Sequence, residues 1–573
     1  MKRRRFLGGA GSSAAAFALT QANKAKAWWP SNKKNVGIIG GGVGGMSAAH
    51  ELMERGFTVT VYEKNSTIAG GKARSMPVPN TGVGGRRDLP GEHGMRFFPG
   101  FYKHVTDTMK RIPYGNNWRG VFDNLTGGSE VLFAAQGQPD VLLPFSRPLW
   151  DLNDMKTALQ AFFAPVPDLS EDEIAHFANR MFQYMTSCEA RRFGEYEHMG
   201  WWEFIDADQF SDAYRQYLAI GLTRNLVALQ AEIGNARTVA SMFSQFLYSL
   251  MGYNEEPDRV LDGPTNDVWI DPWLAHLQNE GVRYKFGAVA ERIRMSKGRI
   301  AGVDVNIGGS RQTVQHDHYV FALPVEALTP LLNSEVIAAD SSLGELSQLH
   351  TAWMNGIQIY FDREVPLVKG HLNFVGTPWA LSSVSQAQFW HDYNLANFGD
   401  GNVRDILSIC ISNWEVPGIV YGKRADQCTK QEIFDEVWAQ VDATLNDEGP
   451  VLDKDWIVDW FLDPSITFPG ANQVANAEPL LVNTKSSWAL RPEAITGIKN
   501  MYLAADYVRT NIDLATMESA NEAARMATNG ILDSTSSWQP RCRLWELFEP
   551  IHLEDDKAND AIRYKLGLPH ILA

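Results

Sequence analysis

Residues Asn35 to Glu63 read NVGIIGGGVGGMSAAHELMERGFTVTVYE, and the architecture can be worked out from them. A short apolar run (Val36, Ile38, Ile39) leads into Gly40, Gly42 and Gly45 in the spacing G-x-G-x-x-G, then into Met46, Ala49, Leu52 and Met53 at helical intervals. That order predicts strand, tight turn and helix. Gly40 permits the turn, Gly42 lets backbone N–H groups approach a pyrophosphate at the positive end of the helix, and Gly45 lets helix and strand pack closely. A second strand, Thr58 to Tyr62, delivers Glu63, where a carboxylate can bond the 2'-hydroxyl of an adenosine ribose and disfavours NADP. Strand, helix, second strand and acid all fall in register, which a plain glycine-rich turn would not require, so the reading is a dinucleotide-binding unit.

The motif alone does not separate NAD from FAD. Ala69-Gly70-Gly71-Lys72-Ala73-Arg74-Ser75 does, because it supplies two glycines and two cations just after the ribose acid. Flavin-binding two-dinucleotide-fold proteins place a second pyrophosphate and ribityl contact there. Pro77 to Pro90 is a loop by its Pro, Gly and Asn content. Glu92-His93-Gly94-Met95-Arg96-Phe97-Phe98 then returns the chain to the nucleotide unit, with His93 open between packing and a role at the flavin.

Further along, Trp273 to Asn279 reads as a helix, Val282 to Phe286 as a strand, and Ala288 to Met295 with Ile300 to Val305 as a hairpin. Val289 falls where its backbone could clasp an adenine. His318 to Leu323 is a buried strand closed by Pro324. Near the end, an apolar strand, Asn500 to Ala505, stops at Asp506, which can bond a ribityl hydroxyl. A helix follows from Met517 to Leu532 with Thr516 as its N-cap, directing unpaired N–H groups outward. Such an end set at the flavin N1 and C2 carbonyl stabilises the reduced ring.

Between these stretches lie two insertions. From Trp150 to Tyr253 the chain turns helical, with a capping box at Ser170 to Glu173 and much aromatic and Met surface (Phe162, Phe163, Met181, Phe182, Met185, Trp201, Trp202, Phe243, Phe246). Two uses fit that surface beside ordinary core packing: an apolar tunnel or a membrane-contacting face. Trp353 to Phe361, His371 to Val375, Ile406 to Ser412 and Trp456 to Phe461 predict a second, mixed sheet, and Lys430 to Leu445 an amphipathic helix.

At 573 residues the chain is too long for one core, and its net charge of −15 argues against a nucleic-acid partner. Four scattered cysteines, Cys188, Cys410, Cys428 and Cys542, indicate neither a metal site nor a disulfide framework. Arg3-Arg4-Arg5-Phe6-Leu7, the weakly apolar Gly8 to Thr20 and Ala25-Lys26-Ala27 together match a twin-arginine export signal over residues 1–27, a route that carries proteins already folded around a cofactor. No uninterrupted apolar run is long enough for a transmembrane helix.

GIIGGGVGGMSAAHEL, GGKARS, EHGMRFFPGFYKHV, WWEFIDA, HYVFALPVEAL, NMYLAADY and ATMESANEA together resemble the flavin amine oxidase superfamily. Within it they are similar to the branch of plant-type phytoene and ζ-carotene desaturases and hydroxysqualene dehydroxylases. The resemblance implies an α/β fold of the Rossmann-like, glutathione-reductase type with one noncovalent FAD. It implies a discontinuous FAD-binding domain from residues 34–115, 262–330 and 480–535. A substrate domain would come from residues 116–261, mostly helical, and 331–479, leaving a C-terminal tail at 536–573. Carried over by motif, Gly40, Gly42 and Gly45 hold the pyrophosphate and Glu63 the ribose. Gly71, Lys72 and Arg74 line the cofactor, Gly94, Met95 and Arg96 approach the isoalloxazine, and Asp506 and Met517 complete the site. Ala505 stands where the family usually has glycine, and Ser519 with Ala520 where it usually has glycine and alanine; the added methyl or hydroxymethyl would narrow the space beside the ring.

The implied activity is an FAD-dependent dehydrogenase or desaturase passing hydride from a C–H of a lipophilic, polyprenoid-like substrate to flavin N5. Export by the twin-arginine route would exclude a cytosolic NAD pool and favour a membrane quinone or oxygen as electron acceptor. No catalytic base stands out. Arg491 can either stabilise developing charge or pair with a carboxylate. Two rivals are an amine oxidase producing peroxide, disfavoured because Ala515 and Thr516 stand where such enzymes keep an aromatic cage residue, and a non-catalytic FAD-bearing assembly factor.

Overall fold

Five parallel strands build the central sheet in the order Met501–Leu503, His318–Phe321, Asn35–Ile39, Thr58–Tyr62 and Arg283–Lys285. A parallel sheet is covered on both faces, which is why Val36, Ile38, Val61, Val320, Phe321 and Leu503 are apolar and fully buried. The helices Val43–Glu54 and Met517–Ser534 pack against one another, and Asn521 Nδ2 donates to Ser47 Oγ at 2.8 Å between them. The first and last parts of the sequence thus share one core.

This computed structural model describes residues 34–145, 159, 162–256, 258–470 and 473–573. The export signal read at residues 1–27, and residues 150–158, 160 and 161 at the start of the stretch read as helical, lie outside the described residues.

The expected hairpin is present as Ala288–Ser296 and Arg299–Ile307, and a third strand, Ser310–Val314, extends it into a meander. A seven-stranded sheet forms the second layer, in the order Ile457–Leu462, Asn355–Phe361, Asp405–Ile411, Leu381–Ser385, Gly370–Val375, Glu130–Ala135, Val141–Pro144. The helix Lys430–Leu445, begun by a Thr429–Glu432 capping box, packs on it. Glu130–Ala135 and Val141–Pro144 come from the stretch read as mostly helical; they join this sheet because Glu130–Ala135 pairs in parallel with Gly370–Val375.

The helical part has its own core around Phe177, Met181, Met185, Trp201, Phe204 and Phe243. Its helix Glu171–Thr186 opens on the Ser170–Glu173 capping box. All nine aromatic and Met residues singled out in the sequence are buried or half-buried, so this surface is turned inward. The tail carries a helix, Glu554–Lys565, laid against Glu189–Gly194 and tied down by a fully buried Arg191–Asp560 pair at 2.9 Å. Among the described residues no helix is long and apolar enough to cross a membrane, and all four cysteines are free and buried.

Candidate active site

A cavity of about 640 Å³ opens where three strands of the central sheet end, beside Gly40, Ala322 and Ala504, the usual ligand position in such sheets. Gly40 has φ +103°, and its turn brings it so near the next strand that a Cβ would stand 2.4 Å from the Ala322 carbonyl oxygen. Gly45 is a packing residue outside the cavity wall: a Cβ there would be 2.0 Å from the Gly40 carbonyl oxygen. Gly42 bridges to Gly70, and a Cβ at 42 would make ordinary van der Waals contacts with Gly71 Cα at 3.6 Å and with Gly70 O and Gly71 N at 3.8 Å. All three glycines border the cavity, and such a side-chain-free edge at the helix tip fits a pyrophosphate.

Glu63 lies in the wall. Its Oε2 accepts the Gly41 N–H at 2.7 Å and its Oε1 that of Asn65 at 2.7 Å, while burial pushes the carboxyl upward. The hairpin start runs alongside, with the Ala288 N–H donating to Glu63 O at 2.8 Å and Val289 half exposed at the rim. Gly71 and Lys72 also border the cavity, but the Lys72 ammonium is paired with Glu326 Oε1 at 2.8 Å. Arg74 is a correction: it does not reach the cavity wall, because its guanidinium is held by Glu478 at 2.7 Å and by the Gly71 carbonyl at 2.8 Å.

Gly94, Met95 and Arg96 form the floor. Arg96 donates to the carbonyls of Lys72 at 2.8 Å, Met95 at 3.2 Å and Arg74 at 3.4 Å, and burial lowers its affinity for its proton. His93 Nδ1 lies 2.9 Å from Asp463 Oδ2. Burial alone would raise Asp463, but His93, Ser465 and Asn355 overcome it and hold the carboxyl at about 2. On the far side are Asp506, pushed up by burial against the pull of Lys72 and Arg491, and the N-terminal end of helix Met517–Ser534, where Thr516 Oγ1 accepts the Ser519 N–H at 3.4 Å. Ala505 and Ala520 line the cavity, whereas Ser519 turns away to Thr510 Oγ1 at 2.9 Å and does not narrow it. Arg491 is structural, buried against Asp513 and the carbonyls of Tyr507 and Val508.

Glu326, Glu478 and Tyr284, whose hydroxyl donates to Gly41 O at 2.6 Å, hold this site together and were not legible beforehand. Each meets its partner across more than 200 positions of sequence, which no local pattern records. Beyond the floor the cavity continues into an arm walled by Phe133, Phe145, Phe162, Phe163, Phe243 and Phe246. Among the described residues, the ionisable pair on the arm's side is His371–Asp258, bonded at 2.7 Å.

A glycine turn and a second helix tip facing one cavity, with an apolar arm beyond, define a two-dinucleotide-fold flavoprotein oxidoreductase. The family described as flavin containing amine oxidoreductase matches residues 43–532, and the chain belongs to it. It is 22% identical over 517 residues to 15-cis-phytoene desaturase of Synechococcus elongatus, spanning 88% of this chain and 97% of that one. To zeta-carotene desaturase of Synechocystis sp. it is 22% identical over 536 residues, spanning 88% and 98%. Among solved structures, cyclohexylamine oxidase from Brevibacterium oxydans superposes with TM-score 0.60 at 13% identity, over 88% of this chain and 100% of that one. Putrescine oxidase bound to putrescine superposes with TM-score 0.56 at 11% identity, over 88% and 99%. At such identities the structures speak for the fold alone. The desaturases accord with the branch indicated by the motifs, and the chain is a flavin-dependent oxidoreductase.

Proposed function

We propose that the protein holds one noncovalent FAD and acts as a dehydrogenase or desaturase on a C–H of a lipophilic, polyprenoid-like substrate. The observation that carries this is the continuity of the cavity: the glycine cradle opens directly into the aromatic arm. FAD would supply the hydride acceptor. Gly42 and Gly71 leave room for its pyrophosphate, Glu63 offers a carboxylate to the adenosine ribose, Asp506 one to the ribityl chain, and the tip of helix Met517–Ser534 its N–H groups. The phenyl walls would orient a greasy chain and keep water from the reacting carbon.

The test is anaerobic. FAD-loaded protein is mixed with 15-cis-phytoene, with squalene, or with a primary amine, and the visible flavin band is followed. Bleaching by a polyprenoid alone supports the proposal; bleaching by the amine alone replaces it with amine oxidation, and bleaching by none of a broad polyprenoid and amine panel leaves the assembly-factor reading. We further assign the enzyme, on its N-terminal signal pattern, to the twin-arginine export route and an extracytoplasmic site, with a quinone or oxygen taking the electrons. Peripheral membrane contact belongs to the same reading. The side chains that offer it are Val416, Ile419, Val420 and Tyr421, all exposed on one loop that Glu436 fixes by accepting backbone N–H groups.

A further inference from the structure

Behind Met95 and Arg96, on the side away from the main cavity, lies a second chamber of about 20 Å³ whose lining includes Glu92, Thr265 and Gln386. A water needs roughly 10–15 Å³ and two to four polar partners, so the chamber has room for about one. Glu92 is fully buried, and its carboxylate accepts the Thr265 N–H at 2.9 Å and the Thr265 hydroxyl at 2.9 Å. Arg96 spends its terminal nitrogens on backbone carbonyls, and its Nε has no hydrogen-bond partner among the described residues. Two opposite charges thus share a water-sized chamber without forming an ion pair with each other, and Arg96 also borders the cofactor cavity.

We propose that one water in this chamber links Glu92 to Arg96, and that Glu92 is a positioning residue whose proton sets how much of the Arg96 charge reaches the flavin. The inference rests on the FAD reading above. With Glu92 protonated, the guanidinium charge is uncompensated and favours the electron-rich, reduced ring; with Glu92 ionised, the pair is neutral and that help is withdrawn. Burial, opposed by Arg96 and Thr265, brings the Glu92 carboxyl up to about 7, so the change falls in the working range. The other groups facing the pair are accounted for. Asp267 is bonded to Arg87 at 2.7 Å and to Tyr393, and the Tyr360 hydroxyl donates to Pro90 O at 2.9 Å. Around Arg96 stand Arg74, Asp463, held at about 2, and Cys410, whose thiol burial pushes up; His93 is bound to Asp463.

The experiment is a reductive titration of the FAD-loaded protein with a redox dye, from about pH 5.5 to about pH 8.5, for wild type and Glu92→Gln. The two midpoint potentials should agree at the acid end. At the alkaline end the variant should be higher by about tenfold in the reduction equilibrium, which is about 30 mV for a two-electron couple. A gap that is constant with pH, or no gap, overturns the proposal, since a merely structural role would not track the Glu92 proton. Should Glu92→Gln fail to fold, Arg96→Met removes the charge that draws the Glu92 carboxyl down, so burial keeps Glu92 protonated to higher pH; the variant should start below wild type at the acid end and lose the wild-type break, and a break kept at the wild-type pH overturns the proposal. Asp262 is also brought to about 7 by burial, and Asp262→Asn must keep the wild-type curve; loss of the break in that variant assigns it elsewhere and sinks the role of Glu92. A chain that takes no FAD overturns this inference and the cofactor reading together, whereas FAD-loaded variants with parallel curves overturn this inference alone.

Discussion

Gly42 and Gly44, on either side of Val43 at the start of the first helix, serve different ends. A methyl group added at 42, on the border of the cofactor cavity, would make only ordinary van der Waals contacts with Gly70 and Gly71, the shortest 3.6 Å, whereas one added at 44 would stand 2.0 Å from the Ala504 carbonyl oxygen. Gly42→Ala should therefore leave the thermal midpoint of the FAD-free protein unchanged and weaken FAD binding by about tenfold or more, measured by fluorescence on titrating FAD. Gly44→Ala should lower the midpoint with or without FAD, by about 1–3 kcal/mol, since a backbone carbonyl cannot give way like a side chain. Equal effects of the two on FAD and on stability would contradict this division. The turn at Gly40 and the close packing at Gly45 were legible because both follow from a spacing of a few residues. The state of Lys72 and Arg74 was not: as sequence they are two free cations beside a phosphate site, and only the fold supplies Glu326 and Glu478 to neutralise them. Ser519 shows the same limit, because its rotamer, set by Thr510, keeps its hydroxymethyl out of the cavity.

At the scale of elements, strands and helices with strong periodicity were readable, and those whose character depends on partners were not. Thr58–Tyr62 and Lys430–Leu445 have the bounds that their patterns give. Leu381–Ser385, LSSVS, holds three serines and its sequence pattern assigns it no element, yet it is a fully buried interior strand because neighbours on both sides take its backbone hydrogen bonds. The tail helix Glu554–Lys565 is mostly polar and exposed, and the buried anchor among its contacts is Asp560, whose carboxylate takes both the Arg191 guanidinium and the Cys188 N–H. Asp560→Asn leaves that guanidinium with Glu195 and a carbonyl as its remaining partners. The expected cost is about 3 kcal/mol, seen as a lower urea midpoint, together with new trypsin cleavage within residues 536–573 before the rest of the chain is cut. An unchanged cleavage pattern would show that the tail is held by something else.

For the molecule as a whole, the consequence of its topology is that the cofactor site is made by parts that are distant along the chain. The cavity wall takes Gly40 to Lys72 from the beginning, Ala288 to Leu331 from the middle and Ala504 to Ala520 from the end, and the helix Met517–Ser534 is packed on Val43–Glu54. A ligand that touches all three and has no site in the unfolded chain stabilises the folded state by mass action, about 2.7 kcal/mol when free FAD stands at a hundred times its dissociation constant. Removing FAD should therefore lower the thermal midpoint, and restoring it should raise the midpoint in step with the logarithm of the FAD concentration. Glu518→Ala offers a separate handle on the same assembly. Its buried carboxylate accepts N–H groups from Lys103, His104 and Val105, so it joins the last helix to the first domain segment without lining the cavity. That variant should be less stable even without FAD, and the increment gained on adding FAD should be smaller, because the third wall of the site is no longer held in place. If instead FAD stabilised wild type and variant equally, the closing helix would be organised independently of Glu518, and the coupling between the two ends of the chain would have to run through its packing on Val43–Glu54, where Asn521 bonds Ser47.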